Sequence, residues 1–449
     1  MWTLFILGFI ASHISLAICQ HAIPPSQDAW YDQPIDIDSY APGQVIRTRQ
    51  VSNRLQSLLT LPVDVSVESV HQYMYRTTDS LDNAVAAVTT LMVPYDSDPT
   101  KLLAYQTAYD TSNADCSPSY TLRYRSWLDG TTSLINSTAP SDMPLLAAAL
   151  NQGWWVLTTD YEGLDGHYVA GVESGRSTLD SVRVALTEGQ KIGLSPDVRY
   201  AMAGYSGGAL ACGWAAELQP SYAPELEFAG AALGGTIANV SSALRLIHES
   251  PFVGLAFQGI HGLGKAYPNL TEWLGENLRP GKREEFYHIA RACTVKETAE
   301  RAGSQDIFSF FEGGEDAMAE DVPASVLRWA GTMGLRGTPR MPVLVYKAVK
   351  DEISAGEDTD ELIERYCEDG ATIEYHRDLV GGHITEAITG SASALNWISE
   401  RLDGKRVRHE GSCVKRNVVL TDLDRGTIAY FGKAVFSLLK TVLGGMLGK

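Results

Sequence analysis

The pentapeptide Gly204-Tyr205-Ser206-Gly207-Gly208 constrains this chain more than any other segment. An apolar run, Val198-Arg199-Tyr200-Ala201-Met202-Ala203, leads into it, and an Ala/Leu-rich run from Ala209 to Leu218 follows. A β-like run, a glycine-flanked serine and a helical run make a sharp corner in which the serine takes strained backbone angles. Only small neighbours let strand and helix come that close. A bare G-x-S-x-G arises by chance, and its place between strand and helix is what marks Ser206 as a nucleophile.

The rest of the chain supplies a fold around that corner. Ala86–Val93 and Lys101–Tyr105 read as early strands separated by turns at Pro94 and Pro99. Leu145–Leu150 reads as helix, Gly153–Thr159 as a buried strand ending at Asp160, and Thr178–Ile192 as a helix stopped by Gly193 and Pro196. After the corner, Phe228–Gly235 is another strand candidate. Strands alternating with helices, each strand a continuous apolar run, predict an α/β fold with a mostly parallel sheet covered on both faces.

From about 236 to 335 the alternation stops. Helical stretches (Ser242–His248, Leu270–Leu278, Glu284–Ala292, Val326–Met333) follow one another with no clear strand, so this segment is read as an inserted cap. Alternation resumes with a strand at Pro342–Lys347, a helix at Asp358–Glu368, a strand at Ala371–His376 and a helix at Ile384–Leu402. The expected organisation is a leader (1–19), a core (20–235) whose first forty or so residues wrap the surface, the cap (236–335), a second core part (336–422) and a tail (423–449).

A serine hydroxyl needs a base to attack a carbonyl, and the base needs a carboxylate to orient it. On folds with this kind of corner the three follow in the order serine, acid, histidine, each in a loop after a core strand. Of the ten histidines, His13 lies in the leader, and His21, His71 and His167 precede the serine. His248, His261 and His288 fall in the cap, His376 within a strand and His409 in a charged stretch near the end. His383 fits, because Gly381-Gly382-His383 follows one strand and precedes a helix. For the acid, Asp351 comes first after the strand ending at Lys347; Glu352, Asp358, Asp360 and Asp378 compete with it. The oxyanion needs N–H donors. Gly207 supplies one, and the loop Tyr109-Asp110-Thr111 the other, with spacing leaving Asp110 and Thr111 as alternatives.

The bulk numbers narrow the setting. A net charge of −18 argues against nucleic acid as the main partner. Met1–Cys19 carries no Asp, Glu, Lys or Arg and ends Ala17-Ile18-Cys19, as a cleaved secretory leader does. Its loss leaves five cysteines; Cys212, among Ala and Trp on the corner helix, reads as a buried free thiol. Cys116, Cys293, Cys367 and Cys413 remain for two disulfides with three possible pairings. Sequons at Asn136, Asn239 and Asn269 agree with a secretory route.

Taken together, these motifs resemble the fungal secretory lipase family, α/β-hydrolases with a large inserted cap. The likeness runs through nearly the whole mature chain: Tyr105-Gln106 to Asp110, Cys116-Ser117-Pro118-Ser119-Tyr120, Thr159-Asp160-Tyr161-Glu162-Gly163, the corner itself, Tyr346-Lys347 with Lys350-Asp351-Glu352, and Gly381-Gly382-His383. The resemblance implies a triad of Ser206, Asp351 and His383, and an oxyanion hole from the backbone N–H groups of Asp110 and Gly207. It implies disulfides Cys116–Cys293 and Cys367–Cys413, and no metal or organic cofactor. Ile428, Phe431, Val435, Leu439, Val442 and Met446 recur at helical spacing. In the family this region forms a flap near the active-site entrance; a helix binding the lipid–water interface is the other reading.

The expected activity is hydrolysis of a carboxylic ester through an acyl-enzyme, with triacylglycerol as the default substrate. The alternative is removal of acetyl groups from a fungal secondary metabolite, or acyl transfer. Peptide hydrolysis by the same triad, or a binding protein on a dead scaffold, are the competing classes. The expected partner is an ester, lipid or acylated small molecule, met at a lipid–water interface without a transmembrane anchor.

Overall fold

The computed structural model describes residues 22–56, 65–124, 126, 142–293 and 295–419. The leader at 1–19, Asn136 and the tail at 423–449 lie outside the described residues. Ten strands build the core: β1 (Val45–Val51), β2 (Ser69–Thr78), β3 (Ala84–Val93), β4 (Asp98–Gln106), β5 (Trp154–Thr159), β6 (Arg199–Tyr205), β7 (Ala231–Gly234), β8 (Val343–Ala348), β9 (Ile373–Asp378) and β10 (Cys413–Val418). They form one sheet in the order β1-β2-β3-β5-β4-β6-β7-β8-β9-β10. From β5 to β10 every neighbour is parallel; β1, β2 and β3 join by antiparallel pairs.

Parallel strands need crossovers, and here helices supply them. In chain order these are α1 (Pro118–Thr121), α2 (Met143–Asn151), α3 (Gly171–Glu188), α4 (Gly207–Tyr222), α5 (Val240–Ile247), α6 (Val253–Ala266), α7 (Pro268–Asn277), α8 (Arg283–Ala290), α9 (Val295–Ala302), α10 (Asp321–Gly331), α11 (Gly356–Glu368) and α12 (His383–Leu402). Alternate residues of each central strand enter different cores. Leu102, Ala104, Val343 and Val345 pack with Leu179 and Val182 of α3 and Leu362 of α11. Leu103, Tyr105, Leu344 and Tyr346 pack with Leu146 of α2 and Leu395 and Ile398 of α12. Both faces being covered explains why these strands read as unbroken apolar runs.

Helices α5 to α10 lie between β7 and β8 in the chain, and their apolar faces join the first of those cores. Phe257 of α6, Phe286 of α8 and Phe310 pack with ring centroids 4.8–6.4 Å apart at their centre. A Cys116–Cys293 disulfide ties the loop after β4 to the end of α8, and a Cys367–Cys413 disulfide ties α11 to the start of β10. Cys212 is a buried free thiol.

Some elements differ from the sequence expectation. Residues 45–51 form edge strand β1 within the stretch read as a wrapping segment. Pro99 is the second residue of β4, where the register against β5 is irregular, rather than a turn. Helix α3 begins at Gly171, seven residues earlier than expected, because Gly171 and Gly175 let it press onto α4. A Cβ on Gly171 would lie 2.1 Å from Trp214 Nε1, and one on Gly175 2.7 Å from the Trp214 carbonyl carbon. The glycine-rich α6, the short α9 and edge strand β10 were not anticipated.

Candidate active site

At the end of β6 the chain turns into α4 through Ser206, whose φ of 53° and ψ of −121° are strained for a residue with a Cβ. The flanking glycines make the turn possible. A Cβ on Gly204 would lie 2.4 Å from Gly208, and one on Gly208 2.0 Å from the Gln106 carbonyl. Ser206 N donates to Gly234 O at 2.8 Å, which fixes the corner to the neighbouring strand.

Ser206 Oγ lies 2.9 Å from His383 Nε2, and His383 Nδ1 lies 2.7 Å from Asp351 Oδ2. An ionised carboxylate only accepts, so Nδ1 carries the hydrogen and Nε2 accepts from the serine hydroxyl. Asp351 stands three residues past β8. Its Oδ1 accepts from Ile353 N and Ser354 N, both at 2.9 Å, and its Oδ2 also receives Lys347 Nζ at 2.8 Å. Burial alone would raise the Asp351 pKa, but the His383 hydrogen bond and the Lys347 charge hold it well below the usual carboxylate range.

His383 is the first residue of α12 rather than a loop residue. Glu352 Oε2 accepts its backbone N–H at 2.7 Å, and Tyr205 Oη donates to its carbonyl at 2.6 Å. Glu352, a competitor for the acid role, therefore holds the histidine by its backbone. Asp360 pairs with Arg377 and Lys415, and Asp378 accepts the N–H groups of Val380 and Gly381. Asp358 is half-buried on α11, and burial raises its pKa. His167, His261 and His376 pair with Glu173, Ser112 and Glu374.

The loop after β4 closes the other side of the serine. Asp110 has φ 43°, and its Oδ1 lies 2.0 Å from the point a Cβ on Gly207 would occupy, so Asp110 lies directly against the corner. Thr111 Oγ1 donates to Ala292 O and Ser112 Oγ to Ala290 O, holding the end of α8. Gly207 N belongs to the first turn of α4, whose amides lack an intrahelical acceptor. Burial pushes the Asp110 carboxyl up to about 6 against the opposing pull of His383. Burial likewise pushes Asp142 and Asp160 up to about 7, and Glu162 well above its ordinary value.

The sequence offers Glu352 only as a rival acid and Lys347 and Tyr205 only as members of motifs; their contacts with Asp351 and His383 are not legible there. A lysine in the otherwise apolar β8 was the one visible signal. Among the described residues, the side chains of His248, Glu249 and Asp306 offer ligand atoms within 4.8 Å of one another, close enough to hold a cation. Asn269 is exposed, whereas Asn239 is half-buried with its side-chain oxygen capping α5. A small apolar cavity is lined by Ala243, Leu244 and Ile247 of α5, Ile260 of α6, Val169 and Ile353. Among the described residues no helix is long and apolar enough to cross a membrane.

With this geometry in hand, comparison with known proteins is specific. Residues 130–410 match the family model described as secretory lipase. The chain is 34% identical to lipase A of Arthroderma benhamiae over 96% of its own length and 91% of that protein. It is 33% identical to the trichothecene C-3 esterase of Fusarium sporotrichioides over 92% of its length and 91% of that protein. Its fold is similar to the closed state of Candida antarctica lipase A, with a TM-score of 0.79 and 27% identity over 94% of this chain and 96% of that one.

Proposed function

The chain belongs to the secretory lipase family and is a carboxylic ester hydrolase, and from that premise we propose that it works as a secreted lipase through Ser206, His383 and Asp351. The observation that carries the reading is the continuous chain from Ser206 Oγ to His383 at 2.9 Å and on to Asp351 at 2.7 Å, built on a serine with φ 53°. His383 Nε2 takes the hydroxyl proton as Oγ attacks the ester carbonyl, and Asp351 stabilises the imidazolium. The backbone N–H groups of Gly207 and Asp110 receive the oxyanion. His383 then protonates the departing alcohol, and water releases the acid from the acyl-enzyme by the same steps. Ser206→Ala should lower hydrolysis of p-nitrophenyl esters by about 10³-fold or more with the melting temperature unchanged; a variant retaining activity overturns the assignment.

Within this reading, residues 236–335 act as the cap that selects the acyl chain; the cavity beside α5 and α6 is lined by apolar side chains but, at about 40 Å³, is an apolar seam smaller than an acyl chain needs. Leu379, Val380 and Ile384 are exposed on either side of His383, which supports encounter with an apolar interface. Secretion after loss of residues 1–19, with sugars at Asn136, Asn239 or Asn269, completes the proposal, Asn269 being the more accessible of the two described sequons. Similarity to the trichothecene C-3 esterase favours a second reading, deacylation of a small metabolite. A series of esters from acetyl to oleoyl separates the two: the lipase reading expects kcat/KM to rise with chain length, and a steep preference for acetyl overturns it.

A further inference from the structure

A lysine buried in the middle of an α/β core is costly to keep charged, and Lys347 needs a reason to be there. It is the charged residue of β8, whose sequence is otherwise Val-Leu-Val-Tyr-Lys-Ala. Its side chain and that of Asp351 are both 0% exposed, and its Nζ lies 2.8 Å from Asp351 Oδ2. The same Nζ donates to Thr236 O at 3.0 Å, the residue at which the chain leaves β7 for the cap. Ser354 Oγ donates to that carbonyl as well.

The choice of oxygen matters. Asp351 Oδ1 is taken by two backbone amides, so the lysine and His383 Nδ1 share Oδ2. A buried ion pair with no further duty is commonly replaceable by apolar residues of similar volume at little cost. Here the cation touches the atom that must stabilise the imidazolium formed during catalysis.

We propose that Lys347 is a positioning residue of the triad: by sharing Asp351 Oδ2 with His383 it weakens the carboxylate's hold on an imidazolium, so His383 remains a neutral base at lower pH. The inference rests on the triad reading above. Burial lowers the lysine pKa while the Asp351 charge opposes that fall. The other groups facing this cluster are acidic or weakly acidic. Glu352 accepts His383 N, Asp358 of α11 acts on the lysine, and Asp110 lies beside the imidazole. Tyr205 of β6 touches His383 and lies in the field of Glu386 of α12. Lys347 is the cation hydrogen-bonded to the triad acid, opposing that surplus of negative charge.

The test is the pH dependence of kcat/KM on a soluble p-nitrophenyl ester for the full chain and for Lys347→Met and Lys347→Gln. Glutamine keeps a donor near Asp351 without the charge. In both variants the acid limb should move up by about one pH unit, a roughly tenfold loss on the acid side, while the alkaline limb stays in place. Labelling by a fluorophosphonate, scored on the Ser206 peptide, identifies correctly folded variant. A lowered maximum with an unmoved acid limb overturns the proposal, and so does failure of both variants to label at any pH, which makes Lys347 structural only. If the unsubstituted protein itself does not label at Ser206, the triad reading has failed instead.

Discussion

On the mechanism proposed above, the main chain and the side chain of Asp110 act on the same oxyanion. Its backbone N–H is proposed to face the oxyanion, and its carboxyl lies against Gly207, the other donor. Because burial pushes that carboxyl up to about 6, it is neutral in mildly acidic solution and ionised above that. An ionised carboxylate there repels the developing oxyanion, so the rate should fall as pH rises past about 6. Asp110→Asn stays neutral throughout and should flatten this alkaline decline while leaving the acid limb in place; an unchanged decline in the variant's pH–rate profile contradicts the account. At this scale the sequence was informative where chemistry is local. Ser206 was legible because strand, glycines and helix stand within a few residues of it. His383 and Asp351 followed from chain order. Lys347 and Glu352 were not legible as partners, since their contacts depend on how β8 and the start of α12 meet in space.

Elements were legible when their own periodicity carried them, and less so when tertiary contacts did. Helices α3 and α6 contain glycines that lower helix propensity and mask the pattern. The structure explains them as close-packing positions: a Cβ on Gly254 would lie 2.1 Å from Thr298, and one on Gly262 2.5 Å from the Tyr168 backbone. Edge strand β10 depends on β9, forty residues earlier in the register, and its Cys-Val-Lys-Arg-Asn-Val sequence carries neither an apolar run nor an alternating pattern. The connection from α10 to β8 is held by Glu217 of α4. Its carboxylate accepts the N–H groups of Gly334, Leu335 and Arg336 and the hydroxyl of Tyr366. Glu217→Ala strands four donors in a buried site and should cost about 3–5 kcal/mol in urea unfolding, with Glu217→Gln between it and the unsubstituted protein. A loss below about 1 kcal/mol for the alanine variant means the loop does not depend on this carboxylate.

For the molecule as a whole, buried carboxyls and net charge point the same way. Asp110 at about 6 and Asp142 and Asp160 at about 7 have folded values raised above their unfolded ones. Between about pH 4 and pH 7 such a group is protonated when folded and ionised when unfolded, so stability falls as pH rises through that window. Asp351 has the opposite sign, its loss setting in only as pH falls below the unfolded value of about 4, and buried His261, lowered to about 4, gives back part of the gain below its unfolded value of about 6.5. A net charge of −18 at pH 7 adds self-repulsion that also eases on acidification. The melting temperature should therefore be several degrees higher at pH 5 than at pH 8, and calorimetry giving the reverse order contradicts this assignment of buried charge. If Ser206, at the corner between β6 and α4, is the nucleophile, turnover passes through an acyl group carried on its Oγ. When turnover of a p-nitrophenyl ester is quenched with acid, peptide mass spectrometry should find the acyl group on Ser206, and on no residue of Ser206→Ala. An acyl group on a different residue, or turnover by Ser206→Ala, contradicts it.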